Sequence, residues 1–323
     1  MEYAAGIDGG GTKTVALLAD MHGNIIARSA GGPANPNVVP YDNLLYTFNN
    51  LFDELEQQCP DAMQNVSVLF AGISGAGNAA AKYEIEAVLK QLLPKTTRIQ
   101  IEADTINALY SGTYGDYGIV HISGTGSITY GINARGQHGR VGGWGYLFGD
   151  EGSGYEIGRQ GIIHALKAQD GRGPDTVLLD KIYDHFREKN PYELVRKIYT
   201  AKIPKEKISP VSKLVFEAYR KSDSVATHII ADAADEISMS IRTLYNNMFN
   251  QHDSVRAVLC GGIFYETDII PPLLYEKLTD CSKIELSIPK LNPAGGSLIG
   301  AYLMKDQQLD NTVIESLISN ESR

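Results

Sequence analysis

The sequence predicts an α/β protein of two lobes, each a mixed sheet covered by helices, with a cleft between them. Three observations predict it. A strand–glycine turn–strand–turn–strand unit occurs twice, helices alternate with strands after each copy, and the 323 residues suit about two domains of ~100–200 residues each.

Residues 2–8 (EYAAGID) read as a buried strand that Gly9-Gly10-Gly11 breaks, and 13–19 (KTVALLA) read as a second strand. His22-Gly23-Asn24 supply turn chemistry before a third strand at 25–29 (IIARS). The same layout returns at 118–123 (GIVHIS), with the glycine turn Gly124-Thr125-Gly126, a strand at 127–132 (SITYGI), the turn Ala134-Arg135-Gly136 and the segment 137–141 (QHGRV). Both copies close on a glycine pair, Gly31-Gly32 and Gly142-Gly143, so the layout reads as a duplicated supersecondary unit.

After the first copy the pattern predicts a helix over 41–58, a strand over 66–73, a helix over 79–93 and a strand over 98–103. After the second, a helix-rich stretch runs from Asp150 to Asn250, with 226–249 amphipathic and core-facing. Strands at 255–260 and 283–288 follow. The division falls near Tyr117, giving lobes 1–117 and 118–323, with a last helix from about Gly296 that can return to the first lobe.

Composition narrows the function. Apolar residues make up 43% and charged residues 21%, which suits an ordinary globular core. A net charge of -9 without any Lys/Arg-rich block argues against a nucleic-acid partner. No apolar run reaches the ~18–20 residues that span a bilayer, and no basic segment precedes an apolar one at Met1-Glu2-Tyr3, so neither a membrane partner nor a signal peptide is expected. Cys59, Cys260 and Cys281 are scattered and odd in number, which fits a reducing cytoplasm and no metal cage.

The strongest local chemistry lies in Asp8-Gly9-Gly10-Gly11-Thr12-Lys13-Thr14. Glycines let backbone N–H groups approach an anion, and successive N–H groups make a concavity for it. Thr12 adds a hydroxyl donor, Lys13 a point charge, and Asp8 a carboxylate placed to hold Mg²⁺ directly or through water. Taken alone, the segment reads equally as a tight hairpin of small residues. Neither the Walker A pattern nor the Rossmann pattern is present, since a strand follows this turn. The second turn, Ser123-Gly124-Thr125-Gly126-Ser127, gains weight as the counterpart of the first, and two such turns facing each other suit a polyphosphate. Asp104 precedes the helix expected at 106–111 and reads as an N-cap. Asp150 and Glu151 read as an acidic helix start, and the lone Trp144 as a packing residue of its loop.

In this order, D-G-G-G-T-K-T, S-G-T-G-S and C-G-G-I-F resemble the phosphate 1, phosphate 2 and adenosine motifs of the actin/hexokinase superfamily. The string from Gly142 to Gly154 (GGWGYLFGDEGSG) is similar to the N-acetylglucosamine kinase branch of the BadF/BadG/BcrA/BcrD-type ATPase family. The resemblance runs along nearly the whole chain. It implies the two-lobed actin-like, ribonuclease H-like fold, with ATP and Mg²⁺ as cofactors. It also implies phosphorylation of the 6-hydroxyl of an N-acetylated amino sugar, N-acetylglucosamine first. N-acetylmuramic acid, both sugars together, and glucosamine stay open, as does a non-catalytic sugar-sensing ATPase.

By position, the resemblance gives Asp104 the place of the catalytic aspartate, a role that can coexist with capping. It gives Gly10, Gly11, Thr12 and Lys13 the phosphate contacts, with Gly124, Thr125 and Gly126 on the second turn and Gly261 and Gly262 on the adenosine side. Asn35, Ser74, Gly75, Asp104, Thr125, Gly126, Gly143, Asp150 and Gly154 match its sugar-binding positions, and Ala294 to Ser297 its hinge elements. A homodimer is the assembly it points to. Two rivals are weaker: an iron–sulfur dehydratase activator needs thiolates, yet no cysteine stands between Cys59 and Cys260, and a ROK-type kinase typically carries a cysteine-rich zinc motif missing here.

Overall fold

The computed structural model describes residues 1–306 and 309–321. The chain divides into two compact units, Met1–Asp116 with Pro289–Arg323, and Tyr117–Ile288. Residues from Pro289 on therefore group with the first unit, whereas the expected lobes are 1–117 and 118–323 with a last helix from about Gly296 that can return to the first.

The first unit is built on a five-stranded sheet in the order β3-β2-β1-β4-β5. Strands β1 (Tyr3–Gly9), β2 (Thr14–Asp20) and β3 (Ile25–Gly31) form an antiparallel meander. Strands β4 (Val66–Ile73) and β5 (Arg98–Glu102) add in parallel beside β1. Parallel neighbours need crossovers, and helices α1 (Tyr41–Gln58) and α2 (Ala79–Leu92) provide them. Strand β4 is buried at all but one position, as a central strand covered on both faces must be. Helix α1 presents Leu44, Phe48, Leu51 and Leu55 at helical spacing to the core that Ile7, Leu18 and Leu69 build. Helix α3 (Asp104–Thr113) follows β5.

The second unit repeats the topology, with its sheet in the order β10-β9-β6-β7-β8. Strands β6 (Gly118–Ser123), β7 (Ser127–Ile132) and β8 (His138–Gly142) are the meander, and β9 (Val255–Cys260) and β10 (Ile284–Ser287) the parallel pair. Six α-helices stand where the first copy has one, α1. They are α4 (Gly154–Gln169), α5 (Leu178–Phe186), α6 (Pro191–Tyr199), α7 (Pro204–Ile208), α8 (Val211–Arg220) and α9 (Ser224–Met248). They enclose a second core around Phe216, Ile230, Ile237 and Ile119. Helix α10 (Ile270–Lys277) links β9 to β10.

Two helices follow the sheet, where one was expected. Helix α11 (Pro293–Leu303) is buried along almost its whole length and begins three residues before the expected start, because Asn292 caps it through Gly295 N–H at 3.0 Å and Pro293 takes the first turn. Helix α12 (Asn311–Glu321) has only Leu317 buried, and that thin apolar signal hides it in the sequence. Helix α11 crosses α3 at close range: a Cβ on Gly296 would run into the carbonyl of Asn107 and lie 2.8 Å from Ser111 N. Among the described residues no helix is long and apolar enough to cross a membrane.

Candidate functional site

In the first unit, β1 and β4 run parallel, and their C-terminal ends carry chemistry side by side. Asp8 pairs in register with Gly72 of β4. Asp104 opens α3 as its first helical residue, and the cap position belongs to Ala103, so the N-cap expected at 104 shifts by one. Its carboxylate accepts the Thr105 N–H and the Ser74 hydroxyl. Burial nevertheless holds Asp104 above the ordinary carboxyl range. Burial also pushes Asp8 up to about 6; a hydrogen bond from Asn107 opposes the shift and the charge of Asp104 adds to it.

Asn107 was not singled out in the sequence, although it lies three residues after Asp104 and so on the same face of α3. It is fully buried. Its Nδ2 donates to Asp8 Oδ1 at 2.8 Å and to the carbonyls of Ile7 and Gly72 at 3.1 Å each. One amide thus ties the helix that carries Asp104 to both strand ends. Gly72 makes room, since a Cβ there would overlap the Asn107 amide.

The hairpin between β1 and β2 is closed by Gly10 N–H to Lys13 O at 2.8 Å, and Gly10 O accepts Ala34 N–H at 3.1 Å. Gly10 is therefore spent inside the turn, while Gly11, Thr12 and Lys13 are exposed. Ser74 N–H donates to Gly9 O at 2.7 Å, which brings the β4 end against this hairpin. Gly75 has φ +84°, and a side chain on it would collide with Asn35 Oδ1. Asn35 Oδ1 in turn accepts Asn37 N–H at 2.9 Å, an Asx turn that shapes the loop after Pro33. Asp8, Ser74, Gly75, Asn35 and Asp104 thus form one neighbourhood, in which hydroxyl, amide and carboxylate groups converge.

In the second unit, the turn Gly124–Gly126 is braced from below. Gly124 N–H donates to Gly126 O at 2.9 Å, and Gly154 N–H, at the start of α4, donates to Gly124 O at 2.8 Å. Ser123 Oγ donates to Gly152 O at 2.8 Å and Ser127 Oγ to Glu151 O at 2.6 Å. Asp150 is buried, with φ +65°. Its Oδ1 accepts Ser127 N–H at 3.1 Å, and its Oδ2 pairs with Lys205 Nζ at 2.7 Å. Expected as a sugar contact, Asp150 is first of all a buttress of this turn. Gly154 is likewise buried and engaged. Gly143 has φ +71° and packs over Ile128. Trp144 is 67% exposed, with the Arg140 guanidinium 3.9 Å above its ring, so it does not pack in a core.

Beside this turn lies a cavity of about 680 Å³, within the roughly 300–1,000 Å³ of small-molecule sites. Gly124, Thr125, Gly262 and Tyr265 line it; Phe216, Pro210 and Ile263 add apolar surface, and Ser209, Ser212 and Lys213 polar groups. Gly261 has φ +106° and sits against the backbone of Ser123, where no Cβ fits. The C-G-G segment and the second glycine turn therefore meet in this unit. Ser209, Ser212 and Lys205 carry no local motif and lie far from the turn in sequence, so spacing does not reveal them. Among the described residues no group of three or more His, Cys, Asp or Glu side chains could hold a metal. One or two carboxylates suffice when phosphates supply further oxygens, and Asp8, with Oδ2 outside its Asn107 bond, fits that need.

Comparison with known proteins gives concordant results. The profile of the BadF/BadG/BcrA/BcrD ATPase family matches residues 5–301. An N-acetylmuramic acid/N-acetylglucosamine kinase from Clostridium acetobutylicum is 31% identical over 313 residues, which are 96% of this chain and all of that protein. An N-acetyl-D-glucosamine kinase from Dictyostelium discoideum is 31% identical over 289 residues, 86% of this chain and 91% of that protein. The solved structure of a candidate N-acetylglucosamine kinase from Chromobacterium violaceum superposes with a TM-score of 0.75 at 24% identity, covering 93% of this chain and 98% of that one.

Proposed function

Since this chain belongs to the BadF/BadG/BcrA/BcrD ATPase family, we propose that it is an ATP-dependent kinase of N-acetylated amino sugars. N-acetylglucosamine is the first substrate, and its 6-hydroxyl is the acceptor. The observation that carries the reading is the paired carboxylates Asp8 and Asp104 at adjoining strand and helix ends, tied by Asn107.

The residues divide the work by unit. In the first, Asp104 orients the sugar hydroxyl and takes its proton as the oxygen attacks the γ-phosphorus; the new O–P bond forms, the bond to the β-phosphate oxygen breaks, and ADP leaves. Asn35, Ser74 and Gly75 bind the sugar beside it. Asp8 holds Mg²⁺, which neutralises phosphate charge when bound. Gly11, Thr12 and Lys13 offer donors to phosphate oxygens. In the second unit, the Gly124–Gly126 turn contacts phosphates, and the cavity bounded by Gly262 and Phe216 takes the adenosine.

A second reading is favoured by the end-to-end match with the Clostridium acetobutylicum kinase: that N-acetylmuramic acid is phosphorylated as well. A coupled ADP-release assay across N-acetylglucosamine, N-acetylmuramic acid and glucosamine, with glucose as control, tests both. Turnover with the first two but not glucose is expected. Sugar binding without ADP release would leave a sensor, and turnover confined to glucosamine would overturn the acetyl preference. Asp104→Asn is expected to lose turnover by ~10²-fold or more while sugar affinity, read by calorimetry, is largely kept. Near-normal turnover would remove Asp104 from the role.

A further inference from the structure

Lys205 lies outside every motif of the chain, on the five-residue helix α7. Its ammonium nonetheless makes an ion pair with a carboxylate that is 4% exposed. That carboxylate, Asp150, faces the turn directly: a Cβ on Gly126 would lie 2.8 Å from its Oδ2 and 2.9 Å from its Oδ1. Its Oδ1 also holds Ser127 N–H, the residue that ends the turn. Two residues on the same segment as Lys205, Glu206 and Ser209, line the cavity that Gly124 and Thr125 also line. Lys205 thus ties one wall of the cavity to the buttress of its glycine turn.

We propose that Lys205 is a positioning residue for the nucleotide, acting through Asp150 to set the Gly124–Gly126 turn. The inference rests on the nucleotide reading of that cavity. A buried carboxylate that loses its paired cation is strongly unfavourable in place. Without Lys205, Asp150 is drawn toward water, and its hold on Ser127 and its packing on Gly126 loosen. Turn donors that no longer point at the phosphates bind them less well, although Lys205 itself touches no nucleotide.

The test is the affinity of the full-length protein for MgADP, measured by calorimetry in the absence of sugar, together with the thermal midpoint. Lys205→Met is expected to weaken MgADP by about tenfold or more, and Lys205→Arg, which keeps the charge, by about threefold or less. Adding Asp150→Asn to Lys205→Met removes the stranded charge, so the double variant is expected to bind no worse than the single one. Should Lys205→Met fail to fold, the double variant and Lys205→Arg carry the comparison. A lowered midpoint with MgADP affinity unchanged in every folded variant would reduce Lys205 to a structural contact and overturn the proposal. Wild-type protein that binds MgADP yet phosphorylates no sugar would sink the kinase reading while leaving this result standing.

Discussion

Asp8 and Asp104 are two acids with one neighbourhood, and their protonation is linked. Burial raises both, and the charge of Asp104 raises Asp8 further, to about 6. In the roles proposed for them, proton acceptor and cation-holding carboxylate, both need to be ionised, so kcat/KM is expected to fall as pH drops through about 6, with an acidic limb visible in a pH–rate profile. A flat profile down to pH 5 would show that neither group titrates in the working range. Gly261 gives a second prediction at this scale. With φ +106° and Ser123 backbone where a Cβ would stand, Gly261→Ala is expected to cost about 1–3 kcal/mol in backbone strain alone, read as a lower denaturation midpoint together with weaker MgADP binding.

The elements show which physical signals a sequence carries. Helix 41–58 and strands 66–73, 118–123, 127–132 and 255–260 were legible to the residue, because apolar period and glycine punctuation agree there. Helix α12 was not, since it buries Leu317 alone and holds by polar contacts. Glu321 Oε2 accepts Asn292 N–H at 2.6 Å at the start of α11, and Arg28 donates to Asn320 O at 2.6 Å. Asp104 was legible as a strand-end acid, but the only local sign of Asn107 is its spacing from Asp104, since its role depends on three tertiary acceptors, and Lys205, whose partner lies 55 residues away, leaves no local trace. The docking of α12 is expected to depend on pH. Burial pushes Glu321 up to about 7. An acid that holds its proton more tightly when folded contributes most below its unfolded value, ~4.3, and stability declines as pH rises from there toward 7. Glu321→Gln is therefore expected to match wild type in thermal midpoint near pH 4 and to exceed it near pH 8. An equal difference at both pH values would exclude this titration.

At the scale of the molecule, one topology appears twice, with the same strand order and the same parallel and antiparallel pairs, while the insertion between third and fourth strands differs from one helix to six. The second unit is one continuous segment, Tyr117–Ile288, whereas the first is assembled from both ends of the chain. Residues 1–116 alone lack α11, against which β1 packs so closely that a Cβ on Gly6 would lie 2.7 Å from Leu298 N. That fragment is expected to lack a cooperative thermal transition, and joining 289–323 to it through a flexible linker is expected to restore one. A cooperative melt of 1–116 alone would show that the sheet does not need its second segment.

The crossing of α3 and α11 carries one more implication. The carbonyl of Asn107 lies where a methyl group on Gly296 would stand, and the side chain of that same asparagine holds Asp8. The alignment of the two acids is thus calibrated by a hydrogen atom at position 296, contributed from the far end of the chain. A single carbon added there is expected, if the two acids act as proposed, to be felt as slower chemistry by a substrate it never meets.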